Sequence, residues 1–120
     1  MKINSYKDLE AYKKAYEVTK TTYKLTASFP KEELYGLAIQ LRRAAVSVPS
    51  IIAEGYMRGS KEYVQFLKIA LGSAAELETQ LLLSRDLGFC DNSVFNRLYA
   101  LNEEVIRLLK SYIKRMASRD

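Results

Sequence analysis

Apolar residues recur along this chain at intervals of three and four, interrupted by a few glycines, prolines and small polar residues, and the pattern predicts four amphipathic helices. Ser5-Tyr6-Lys7-Asp8 reads as a helix start, because the Ser5 hydroxyl can accept from an orphan amide and Asp8 stands at the capping-box position. Leu9, Tyr12, Tyr16, Thr19, Tyr23 and Thr26 then form a predicted inward stripe, unusually rich in tyrosine. Pro30 disfavours the α conformation at Phe29, which ends the first helix near Ser28 and places Pro30 in the first turn of the second.

The second helix carries its predicted stripe at Leu34, Leu37, Leu41, Ala45, Val48 and Ile52. Pro49 cannot donate to the Ala45 carbonyl and its ring crowds that turn, so a kink is expected there rather than a break. Gly55, Gly59 and Ser60 mark the end, with Ser60 the predicted N-cap of the third helix. That helix has Tyr63, Leu67, Ala70, Ala74, Leu77 and Leu81 on one side and Val64, Leu71, Ala75 and Leu82 on a second. So broad an apolar arc implies burial beyond its own bundle, and the small residues around Gly72 would admit another helix closely. Leu87-Gly88 supplies a stop, Asp91 or Asn92 a cap, and Val94, Leu98, Leu101, Val105, Leu108 and Tyr112 the fourth stripe. Long helices on short connections predict an all-α, antiparallel up-down-up-down four-helix bundle, forming one domain over residues 1–120.

Charge narrows the partner more than the chemistry does. Nineteen Lys and Arg against fourteen Asp and Glu leave a net charge of +5, which favours a polyanionic partner. In an up-down bundle the start of the first helix, the turn between the second and third, and the end of the fourth share one pole. Lys7, Arg58, Lys61, Lys110, Lys114 and Arg115 gather there, with Lys2 and Arg119, against Asp8, Glu10, Glu54, Glu62 and Asp120. Lys13, Lys14 and Arg107 extend the basic surface along the side where the first and fourth helices run together. Such a surface can neutralise phosphates, with Tyr6 or Tyr56 available to stack on bases.

Catalysis finds little support. The chain has no histidine, which removes the commonest metal ligand and acid-base group, so no metal site, cofactor or catalytic residue is expected. Glu54, Glu76 and Glu78 read as exposed or salt-bridged carboxylates rather than a metal site. Gly55 to Lys61 has the wrong glycine spacing for a phosphate loop, and Gly72-Ser73 lies within a helix rather than at a nucleophile elbow. Cys90, the lone cysteine, permits no internal disulfide and fits a reducing compartment. Antiparallel pairing of the second and third helices puts Arg43 level with Glu76, predicting an interhelical ion pair that fixes register, and brings Glu54 near Tyr63. No apolar run suits a bilayer span or a signal peptide, so a soluble, cytoplasmic protein without membrane contact is expected.

Several segments together resemble one bacterial family: Phe29-Pro30 with Glu33; Gln40-Leu41-Arg42-Arg43-Ala44-Ala45; Ser47-Val48-Pro49; Ile52-Ala53-Glu54-Gly55; Phe66-Leu67 with Ile69-Ala70; and Gly72-Ser73 with Glu76-Leu77-Glu78. These are similar to the four-helix-bundle proteins encoded in intervening sequences of 23S ribosomal RNA genes, also labelled ribosomal proteins. Accessory proteins of diversity-generating retroelements belong to the same family. Ile51 stands where the family usually has Asn, so any hydrogen bond from that Asn is absent. The resemblance implies an antiparallel bundle, a ring-shaped homopentamer, no enzymatic activity, and binding to structured RNA, ribosomal or other, or to a reverse transcriptase. The leading expectation is a non-catalytic RNA-binding protein. The alternative is a protein-interaction scaffold or reverse-transcriptase accessory protein whose charge only maintains solubility.

Overall fold

The computed structural model describes residues 2–118. Four helices, α1 (Glu10–Thr26), α2 (Leu37–Arg58), α3 (Ser60–Asp86) and α4 (Asn92–Ala117), pack in a square where each touches its two neighbours. This is the all-α up-down bundle the apolar spacing predicts. The poles identify themselves by aromatic contacts. Tyr6 lies 6.4 Å from Tyr56 and Tyr56 lies 6.0 Å from Tyr63, joining the chain start to the α2–α3 turn, while Phe29 meets Phe89 at 5.8 Å across the other end.

The Ser5–Asp8 capping box forms, but it closes a single 3-10 turn, Tyr6–Asp8, and extended Leu9 separates that turn from α1. Pro30 likewise opens only a 3-10 turn, Lys31–Glu33, and α2 begins seven residues later than Pro30, leaving Leu34 exposed. There the Glu33 carboxylate accepts from the Leu37 amide at 3.1 Å, satisfying one of the orphan donors of α2. The α3–α4 turn follows expectation. Gly88 takes φ +76°, Phe89 N donates back to the Ser84 carbonyl at 2.9 Å, and Asp91 caps α4 by accepting from the Ser93 and Val94 amides.

The predicted stripes are buried in α2, from Leu41 to Ile52, and in α3, from Tyr63 to Leu81, while the core departs from them in α1 and α4. In α1 the buried residues are Ala11, Ala15, Val18, Thr21, Thr22, Leu25 and, from the predicted stripe, Thr26, whereas Tyr16 and Tyr23 are about half exposed. Both stripes have helical spacing, one residue apart in register, and the smaller one faces inward because it lets α1 seat closely. In α4 the buried set is Phe95, Leu98, Asn102, Val105 and Leu109, again one residue from the predicted Leu101 and Leu108, which sit at the rim. The amide of buried Asn102 donates to the Ala74 carbonyl at 3.0 Å, a polar tie between α4 and α3. Ala74 is therefore interior to the bundle rather than part of an outer small-residue face. Of the second side predicted for α3, Leu71 and Leu82 cover the core edge, while Ala75 is exposed.

Two helix features correct the predicted punctuation. Gly55 lies inside α2, not at its end; a Cβ there would stand 2.4 Å from the Phe66 Cβ, so the missing side chain sets how closely α2 and α3 approach. Gly59, at φ +101°, makes the turn, and Ser60 is the first residue of α3 without a side-chain capping bond. The helix runs unbroken through Pro49. The Ala45 carbonyl, which Pro49 cannot serve, accepts instead from the Thr19 hydroxyl at 2.8 Å, so α1 supplies the bond that α2 lacks.

Candidate nucleic-acid interface

Antiparallel topology brings the expected cations to one end and along one side, but their electrostatic states divide them. Lys7, Lys61, Lys110, Lys114 and Arg115 are exposed at the pole and make no ion pair among the described residues. Arg115 lies over the Tyr112 ring at 5.1 Å, beside a hollow of about 300 Å³ that Ile3, Leu9, Tyr63 and Met116 also line. Arg107 is exposed on the outer face of α4, likewise without a carboxylate partner among the described residues. Arg119 and Asp120, also assigned to this pole, fall outside the described residues.

The other three cations are engaged. Arg58 holds Glu62 at 3.1 Å and Glu54 at 3.2 Å and lies over the Phe66 ring at 4.9 Å, so its charge is largely spent within the α2–α3 turn. The bond from Glu62, then that from Glu54, raises the guanidinium pKa further. Lys14 pairs with Glu104 at 2.9 Å across α1 and α4, and its hydrogen bond to that carboxylate raises the amine pKa. Lys13 approaches Glu10 at 3.8 Å. These contacts are exposed and individually weak, yet they shift the free positive charge toward the α4 end of the pole.

The predicted Arg43–Glu76 ion pair does not form among the described residues. Both side chains are exposed, Glu76 accepts weakly from Gln80 Nε2 at 3.4 Å, and the two point away from the bundle, where water solvates each charge without the geometric constraint of a pair. Glu54 is likewise taken by Arg58 and not by Tyr63. The Tyr63 hydroxyl is buried with no hydrogen-bond partner among the described residues.

Burial, with Tyr112 and Tyr56 nearby, pushes the Tyr63 phenol up to about 12 from an ordinary 10.0. The unfolded chain therefore loses this proton first as pH rises. Stability is full below about pH 10 and falls by on the order of 2 kcal/mol between pH 10 and 12. Denaturant melts across that range are expected to show the loss, and Tyr63→Phe to reduce it, the raised Tyr12, Tyr99 and Lys14 still contributing, while leaving neutral-pH stability equal or higher, since an unpaired hydroxyl is removed.

Periodicity misassigns one set of surface residues. Tyr16 and Tyr23, expected in the core, line an open groove between α1 and α2 with Tyr6, Tyr12, Val46 and Pro49, about 620 Å³ in volume. The signal that could have found them is the smaller parallel stripe Ala11-Ala15-Val18, which competes for the same core. Elsewhere, burial and then the neighbouring Asp91 carboxylate raise the Cys90 thiol pKa, keeping it protonated at neutral pH. No cluster of three or more His, Cys, Asp or Glu among the described residues could hold a metal ion, and no helix among them is long and apolar enough to cross a membrane.

A crystal structure of a protein of unknown function from the S23 ribosomal protein family of Bacteroides thetaiotaomicron superposes with a TM-score of 0.78 at 23% identity, covering 87% of this chain and 95% of that one. At that identity the likeness establishes the bundle alone. No curated protein matches. The sequence model described as 23S rRNA-intervening sequence protein matches residues 7–111, nearly the whole length from the first 3-10 turn to late α4. This chain belongs to the 23S rRNA-intervening sequence protein family.

Proposed function

We propose that the protein is a non-catalytic RNA-binding protein that engages structured RNA, ribosomal RNA among the candidates, through the phosphates. The observation that carries this reading is the cluster of Lys7, Lys61, Lys110, Lys114 and Arg115, drawn from three separate chain segments to one pole with no carboxylate partner among the described residues. Exposed, flexible ammonium groups of this kind bind phosphate oxygens without reading sequence. The family's link to ribosomal RNA genes agrees with such a partner. Affinity for a stem–loop RNA is expected to fall steeply from about 50 to 200 mM salt, because each neutralised phosphate releases counterions. A salt-independent affinity, or no binding, would leave the scaffold reading ahead.

The same reading includes self-association, a ring of five copies being the assembly expected of the family. On α3 the exposed residues Ile69, Gly72 and Leu83 recur with helical spacing, and a Cβ at Gly72 would meet nothing within 4 Å in the single chain. Light scattering at micromolar concentration is expected to give a homo-oligomer, and Gly72→Leu to dissociate it without unfolding the bundle. A monomeric wild type would rule the ring out.

A further inference from the structure

We propose that the α1–α2 groove holds a single-stranded stretch of the RNA, its bases stacked on Tyr16 and Tyr23 and its phosphates met by cations along the rim; this rests on the RNA-binding reading above. The rings are about half exposed, although large aromatic side chains are on average well buried. They stand seven residues apart, two helical turns or about 10 Å, a span that suits two or three stacked bases. Each is held in place by a cation: Lys20 lies over Tyr16 at 5.6 Å and Arg42 over Tyr23 at 4.8 Å, and Arg42 is itself fixed by a 2.8 Å bond to Thr26.

Charge selects the occupant. Further hollows adjoin the groove at both ends, sharing Tyr12 and Tyr16 on one side and Tyr23 and Val46 on the other. Along this continuous surface stand Lys7, Lys13, Lys20, Arg42 and Arg43; Lys13 lies 3.8 Å from Glu10 and Lys20 pairs at 3.0 Å with Glu17, the sole carboxylate lining the surface among the described residues, which leaves Lys7, Arg42 and Arg43 as the cations without an ion pair among those residues. An apolar floor of Val46, Pro49 and Ala53, exposed tyrosines and a cationic rim match the stacking platform and electrostatic track of single-strand binding. Burial, followed by the neighbouring Tyr6 and Tyr16, raises the Tyr12 phenol pKa, so this end of the groove presents neutral rings to a polyanion. The Lys7 end opens toward the basic pole, giving a strand leaving a duplex a continuous path.

The test uses the full chain and two fluorescein-labelled probes, a uridine dodecamer and a stem–loop RNA, with anisotropy as the readout. Tyr16→Ala/Tyr23→Ala is expected to weaken dodecamer binding by roughly tenfold per ring, whereas Tyr16→Phe/Tyr23→Phe keeps it within about twofold because stacking needs the ring and not the hydroxyl. Ser50→Glu, at an exposed groove position on the other helix, is expected to weaken it too, which covers the case where the alanine variant melts early. Unchanged dodecamer binding in the alanine and Ser50→Glu variants would overturn the proposal. So would a wild type that binds the stem–loop and ignores the dodecamer, a result that leaves the pole reading standing. If light scattering shows the alanine variant losing a wild-type oligomer, the groove seats a second copy and the proposal also falls. Wild-type failure on both probes would remove the pole reading with it.

Discussion

Gly55→Ala destabilises the bundle by about 1 to 3 kcal/mol, whereas Gly72→Ala, the same change in the next helix, is neutral or stabilising by up to about 1 kcal/mol. Both glycines lie inside helices, where alanine is intrinsically favoured. At Gly55 that preference is overruled, because the new methyl would fall 2.4 Å from Phe66 Cβ and 3.4 Å from the Tyr63 ring, and two helices must separate to admit it. Phe66 Cβ is tied to its backbone, so rotamer change cannot relieve the clash. At Gly72 the methyl meets nothing, and only propensity remains. Denaturant midpoints of the two variants check the pair. Equal midpoints would mean that α2 and α3 do not pack as closely as described. The comparison is made at a concentration where the protein is monomeric, since the proposed ring packs a second copy on the Gly72 face; a destabilising Gly72→Ala under those conditions would contradict the open space around that glycine.

Much of this architecture is legible in the chain, and the errors share a cause. Helix number, order and antiparallel pairing follow from apolar spacing and from turn residues such as Gly59, Gly88 and Asp91. Periodicity finds a helix's amphipathic side but does not rank two stripes that differ by one residue. Size alone puts Tyr16 and Tyr23 inside, although Ala15 and Val18 allow the closer helix packing. Pairing registers are softer still. Arg43 and Glu76 can be level along the axis and yet face outward, since axial level says nothing of azimuth around each helix. The Thr19 bond to the Ala45 carbonyl is not legible at all, because it needs the angle at which α1 crosses the proline turn. At the candidate site, the gathering of cations at one pole follows from topology alone. Which of them are free does not, because Arg58 and Lys14 find carboxylates through local rotamers.

Removing the charges that have no carboxylate partner among the described residues has the largest expected effect on function. Lys7, Lys61, Lys110, Lys114 and Arg115 are exposed and outside the core, so alanine at all five leaves the fold intact, with each surface change within about 0.5 kcal/mol. Arg58→Ala is the internal contrast: its guanidinium already serves Glu54 and Glu62, so losing it frees two carboxylates and removes little available positive charge. RNA affinity therefore falls far more in the five-residue variant than in Arg58→Ala. The most direct measurement is the dependence of stem–loop RNA affinity on salt for the wild type and the five-residue variant, read as log–log slopes. The variant's slope is expected to be shallower by up to roughly 0.7 to 0.9 units for each phosphate it no longer neutralises, approaching 4 units if all five residues bind phosphate. A variant that binds the RNA as tightly as the wild type, with the same slope, would contradict an RNA interface at this pole.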